Sequence, residues 1–90
     1  MAYVSGRLAA GQKTGITTTP VVLATGQPAC REVLVQSDPA NTTNVLIGNS
    51  TAQYVNLTPG QSLSIPILGL DQIYVAMASG TGVINWLARD

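Results

Sequence analysis

Residues Gln61–Leu68 read QSLSIPIL, and this alternation decides the fold. Side chains of an extended chain alternate between its two faces. Leu63, Ile65 and Ile67 therefore share one face, and Ser62, Ser64 and Pro66 the other. The pattern predicts a strand packed on one side and wet on the other. Just before it stands Thr58-Pro59-Gly60, where Pro then Gly suits the two central positions of a type II turn. The same punctuation recurs in both directions. Runs rich in Val, Ile and Thr mark further strands at Thr17–Ala24 (TTTPVVLA), Arg31–Ser37 (REVLVQS), Thr43–Gly48 (TNVLIG), Gln53–Leu57, Asp71–Ala78 (DQIYVAMA) and Gly82–Ala88 (GVINWLA). Pro20 confines the first of these to a sheet edge or a bulge. Asp38-Pro39-Ala40-Asn41 has the residues of a turn, and Ser79-Gly80-Thr81 is expected to join the last two runs as a hairpin.

No stretch of a dozen residues keeps helical spacing without a Gly or Pro interrupting it. With no crossover helix, a parallel sheet is excluded. About six to eight short strands at regular spacing imply an all-β chain: a small antiparallel β-sandwich of jelly-roll or immunoglobulin-like type. Ninety residues make one domain. Residues 15–90 are expected to form the sandwich. Residues 1–14 (MAYVSGRLAAGQKT) are expected to form an N-terminal arm, or an edge strand around Tyr3–Leu8 followed by a Gly-containing connector.

Charge is scarce. Charged residues make up 9% of the chain, against about a quarter in ordinary soluble domains. Ten Thr, six Ser, five Asn and six Gln take their place, and the formal net charge is zero. Four scattered basic residues, Arg7, Lys13, Arg31 and Arg89, cannot supply the footprint that a phosphate backbone or an anionic membrane surface requires. Neither nucleic acid nor membrane is an expected partner. A surface without net charge does little to hold copies apart, so part of it is expected to be covered in the working state.

The chemistry of catalysis is equally sparse. There is no His, which removes the commonest general base and metal ligand. Of the four carboxylates, Glu32 and Asp38 stand at opposite ends of one expected strand, roughly 20 Å apart, while Asp71 and Asp90 lie elsewhere. No phosphate-binding Gly pattern and no acidic Ca²⁺ loop is present. The single Cys30 excludes an internal disulfide and is expected to be a buried, inert thiol. No enzyme, cofactor or metal is expected. Trp86 reads as core or interface, not as a sugar platform. The chain is expected to lack a secretion signal and to be made in a reducing cytoplasm, so the Asn-x-Ser/Thr triplets at Asn41, Asn49 and Asn56 read as chance.

Two strands break the one-sided rule. Val33-Leu34-Val35 and Val45-Leu46-Ile47 are apolar on both faces. Leu34 and Leu46 either lie beneath the arm or a loop, or contribute to an interface.

Four segments together carry a resemblance: Val45-Leu46-Ile47-Gly48-Asn49-Ser50, Leu57-Thr58-Pro59-Gly60-Gln61-Ser62-Leu63, Asp71-Gln72-Ile73-Tyr74-Val75-Ala76, and Gly80-Thr81-Gly82-Val83-Ile84-Asn85-Trp86-Leu87. They resemble the small β-sandwich virion proteins of tailed bacteriophages, over about Arg31 to Arg89. The resemblance implies a structural component of the virion made in the host cytoplasm: a capsid decoration or cement protein, a head fibre, or a fibre or baseplate module. The expected partners are the major capsid protein and further copies of the chain, a homotrimer being favoured. The expected interface residues are Met1, Ala2, Tyr3, Val4 and Leu8 of the arm, with Leu34 and Leu46. The rival expectation is a receptor- or carbohydrate-binding module of a fibre.

Overall fold

The computed structural model describes residues 8–27 and 29–89. Eight strands are formed among them: β1 (Leu8–Ile16), β2 (Val21–Val22), β3 (Glu32–Ser37), β4 (Val45–Gly48), β5 (Val55–Leu57), β6 (Ser62–Ile65), β7 (Tyr74–Met77) and β8 (Gly82–Arg89). A single 3-10 turn, Leu70–Gln72, precedes β7. The strands make two antiparallel sheets, β1-β8-β3-β6 and β2-β7-β4-β5.

The pairing is nested. β4 pairs with β5, β3 with β6, β2 with β7 and β1 with β8. This is one long double ribbon rolled up, and two further contacts, β3 with β8 and β4 with β7, close the roll into two layers. A rolled ribbon of eight strands in two sheets is a jelly roll, which resolves the choice left open by the strand count alone.

Alternation decides which residues fill the space between the layers. Val33, Val35, Ile84 and Trp86 point inward from one sheet, and Val45, Ile47, Val75 and Met77 from the other; all are buried. Fully burying a side chain of this size contributes about 1.5–3 kcal/mol, so the two inner faces supply the main favourable term. Leu63, Ile65 and Ile67 pack against this core, as the alternation of QSLSIPIL requires. The strand itself stops at Ile65, before Pro66, which has no N–H to donate.

The turns explain the Gly and Asn positions. Gly60 adopts φ +87°, and the Gln61 N–H donates to the Thr58 carbonyl at 2.9 Å, which makes the expected type II turn. Gly48 has a steric reason. A Cβ there would collide with the Ala52 carbonyl oxygen and lie 2.7 Å from Gln53 Cα. The loop folds back this closely because Asn49 Oδ1 accepts the N–H groups of both Thr51 and Ala52, each at 2.9 Å. The Gly-Asn pair of the resemblance is thus a loop-building device.

Three expectations need correction. β7 and β8 are not a hairpin: they lie in different sheets, and Ser79-Gly80-Thr81 turns the corner between layers. A short Gly-containing connector has the same local chemistry in either role; what separates them is partner choice, β7 pairing with β2 and β4 and β8 with β1 and β3. Met77 and Gly82 meet across that corner, the Met77 Sδ only 2.6 Å from where a Gly82 Cβ would stand. Thr17–Ala24 yields only Val21–Val22 as strand. Thr17 Oγ1 accepts the Thr19 N–H, the Thr17 carbonyl takes the Met77 N–H at 2.8 Å, and Pro20 follows, so this stretch carries the chain from one sheet to the other. Finally, residues 9–14, read as a connector, are strand. β1 continues to Ile16, which plugs the core, so a boundary at residue 14 falls inside an element.

Candidate interaction surface

The outward face of the sheet β1-β8-β3-β6 is organised in rows, because its ladders stay in register across the sheet. One row places Ala10 of β1 beside Leu87 of β8, Leu34 of β3 and Ser64 of β6. Leu34 is 37% and Leu87 39% exposed, so the row is an apolar stripe in contact with solvent.

Polar rows border it on both sides. Gln12, Asn85, Gln36 and Ser62 form the first. The Gln12 amide donates to Asn85 Oδ1 at 2.8 Å, and Asn85 Nδ2 donates onward to Gln36 Oε1 and Asp38 Oδ2, both at 3.2 Å. These bonds fix the rotamers of the ladder and carry no net charge beyond that of Asp38. On the other side Leu8, Arg89 and Glu32 are aligned, and Arg89 Nε donates to Glu32 Oε1 at 2.8 Å. An exposed pair of this kind contributes about 0–1 kcal/mol; its larger effect is to cancel charge beside the stripe. Between the rows lies a shallow concavity of about 220 Å³ lined by Leu34, Gln36, Ser62, Asn85, Trp86 and Leu87.

Trp86 itself faces the core and is 7% exposed. Its ring lies over Gly11, its cross-strand partner, whose missing side chain makes the space: a Cβ on Gly11 would stand 2.7 Å from Trp86 Cε2. A second polar cluster ties the end of the sheet together. Asn41 Nδ2 donates to Ser37 Oγ at 3.0 Å and to the Val83 carbonyl at 2.7 Å, while the Val83 N–H donates to Asn41 Oδ1 at 2.9 Å. Among the described residues Ser37 is the buried polar residue, and its Oγ is engaged here as an acceptor. Asn41 and Asn49 of the Asn-x-Ser/Thr triplets are thereby accounted for by local structure.

The expected interface residues are not gathered in one place. Leu34 lies on the stripe and Leu8 at the border of the same face, in line with Arg89. Leu46 is half-buried on the outer face of the opposite sheet, between Ala76 and Asn56. Met1, Ala2, Tyr3 and Val4 lie outside the described residues. Leu87, Ala10 and the amide ladder were missed from sequence. The signal was present, since with Trp86 inward its neighbours Asn85 and Leu87 must point outward. Elsewhere Tyr54 is 86% exposed, and Val55 and Leu68 are exposed as well.

Cys30 is buried, and its Sγ lies 3.1 Å from the Ile67 carbonyl oxygen. Among the described residues no three of His, Cys, Asp and Glu gather closely enough to hold a metal, and no helix is long and apolar enough to cross a membrane.

Fold and surface define a charge-poor jelly-roll domain whose outer sheet face carries an apolar stripe between an amide row and an ion-pair row. No family model matches the chain, and neither a curated protein nor a solved structure is detectably similar to it.

Proposed function

We propose that this chain is a structural protein of a bacteriophage virion, a capsid decoration or cement protein that binds the major capsid protein and stabilises the head. The observation that carries the reading is the stripe Ala10–Leu87–Leu34, held between an ion-pair row and an amide ladder that ends on Asp38. The stripe itself carries no charge to desolvate on docking, since Arg89, Glu32 and Asp38 stand in the rows beside it. Covering what remains exposed of Leu34 and Leu87 adds about 1 kcal/mol each, and the ordered amides supply directional bonds at the rim. A jelly roll is shared by viral shell domains and lectins; that is an analogy of fold alone, and the segments quoted from the sequence tilt it towards the virion. The action is adhesive, with no reaction and no cofactor, and the chain acts as a homo-oligomer on the outer surface of the shell.

The test is co-sedimentation of the purified protein with emptied shells of the phage that encodes it. Leu34→Thr with Leu87→Thr removes the stripe while keeping strand-forming side chains. The wild type should pellet with the shells and the double variant should stay in the supernatant, with its melting temperature little changed. Equal pelleting of the two would overturn the role of this face, and failure of the wild type to pellet would overturn the function.

A second reading draws on the concavity lined by Leu34, Gln36, Ser62, Asn85, Trp86 and Leu87. Apolar carbon beside amides and a hydroxyl also suits a neutral sugar, as expected of a fibre module. Glycan-array binding without shell binding would favour it.

A further inference from the structure

A β-sandwich must guard its sheet edges, because unpaired N–H and C=O groups invite another strand. Among the described residues three of the four edge strands are guarded. β2 is two residues long and follows Pro20, β5 is three long and ends at the Thr58-Pro59 turn, and β6 is four long and stops at Pro66. Short strands flanked by proline are how sandwiches avoid edge-to-edge pairing. The fourth edge, β1, runs nine residues without a proline.

Half of β1 carries its own protection. Lys13 occupies a core-facing position of the strand, and the register shifts between Lys13 and Ile16. An inward charge and a bulge both discourage pairing. The other half, Leu8–Gln12 (LAAGQ), has neither charge nor irregularity, and its three central side chains are the smallest available.

The direction of its backbone groups follows from the ladders. The Asp38 N–H donates to the Val83 carbonyl, so odd-numbered residues of β8 bond towards β3. Bonding alternates along an antiparallel strand, so Ile84, Trp86 and Ala88 bond towards β1. Through the register their partners are Lys13, Gly11 and Ala9. The N–H and C=O groups of Leu8, Ala10 and Gln12 therefore face outward, away from β8.

We propose that this open half of β1 pairs with the same segment of a second copy, antiparallel about a two-fold axis at Ala10. Leu8 then lies opposite Gln12 of the partner subunit, and Ala10 opposite Ala10 of the partner subunit. Each of these pairs exchanges both of its main-chain hydrogen bonds. Three observations select this occupant. The remaining edges are blunted, so the pairing open to a β1 edge between copies is with another β1. A two-fold interface must be self-complementary, and a charge-free segment centred on Ala9-Ala10-Gly11 opposes itself without a clash. The net charge of zero adds no repulsion between copies. The pairing merges the two sheets into one, and the stripes of the two copies run on as a single row, Leu34–Leu87–Ala10 followed by the same residues in reverse order. A two-fold pairing makes a dimer, in place of the trimer favoured on sequence.

The experiment needs no virion, so its outcome is independent of the reading above. Light scattering on the eluting purified chain should give twice the mass of one 9.3 kDa chain. Ala10→Pro removes an N–H that faces the edge and not β8, and should give the single-chain mass with a cooperative melt retained. Should that variant not fold, cross-linking decides the matter. Paired residues of an antiparallel ladder lie about 5.5 Å apart, within disulfide reach. Ala10→Cys should therefore become a covalent dimer on mild oxidation with a copper catalyst, and Gln12→Cys should not. A monomeric or trimeric wild type, a dimer that survives Ala10→Pro, or cross-linking of Gln12→Cys in preference to Ala10→Cys overturns the proposal.

Discussion

Gly11→Ala tests the packing of the outer strand most sharply. The added Cβ would collide with Trp86 Cζ2 and stand 2.7 Å from Cε2 and 3.0 Å from Nε1. Trp86 cannot simply retreat, because it is 7% exposed and set among the core residues. Crowding a packed core typically costs about 1–3 kcal/mol. Replacing Gly within a strand returns about 0.5–1 kcal/mol through the lower entropy of the unfolded chain. The midpoints of the two terms, about 2 and about 0.75 kcal/mol, leave a net loss of about 1 kcal/mol, or a fall in melting temperature of roughly 4–8 °C for a domain of this size. Thermal unfolding followed by the emission of Trp86, the one tryptophan, reads both stability and ring environment. The cause is isolated by repeating the change in a Trp86→Phe background, where a smaller ring reaches less far over position 11. There the cost should shrink by at least about 0.5 kcal/mol, as expected of residues in contact. Gly11→Ala within about 0.5 kcal/mol of wild type, or an equal cost in both backgrounds, would refute the reasoning.

Other substitutions probe the remaining devices. Gly48→Ala should cost about 3 kcal/mol or more, because its Cβ meets main-chain atoms of Ala52 and Gln53 and not a side chain that can swing away; chemical denaturation would show it, and limited proteolysis should place the opening at residues 49–53. Asn41→Ala leaves the part-buried Val83 N–H without its acceptor and should cost about 1–3 kcal/mol, seen as faster amide exchange at Val83. Arg89→Gln should change stability by no more than about 1 kcal/mol, since the pair it breaks with Glu32 is exposed; a larger loss in a denaturant titration would mean that the row supports the sheet.

Much of the architecture is legible in the sequence. The strands at Glu32–Ser37, Val45–Gly48 and Ser62–Ile65, and the Thr58-Pro59-Gly60 turn that leads into the last of them, rest on period-two alternation and local turn chemistry, which a sequence displays directly. What stayed hidden depends on partners far along the chain. Ser79-Gly80-Thr81 looks the same whether it returns a strand to its neighbour or sends it to the opposite layer. β1 was obscured because Ala9, Ala10 and Gly11 have little strand propensity of their own; tertiary pairing with β8, and the need to floor Trp86 with a glycine, hold them extended. Of the surface, Leu34 was legible as an apolar residue out of phase. Its stripe was not, because a row across a sheet is fixed by register, and register belongs to pairs of strands.

The nested pairing also governs how the chain can come into being. β8 sits inside its sheet, between β1 and β3, and every residue from Leu8 to Ala78 precedes it in the sequence. Until β8 has left the ribosome, β1 has no neighbour within its layer, and the core-facing side of β3 lacks Ile84 and Trp86. Among the described strands, the latest in the chain is the one that joins the earliest. Folding must then close a loop that spans nearly all of the described residues, which places it among the slow, non-local β topologies and leaves the nascent chain with open strand edges for as long as β8 is delayed.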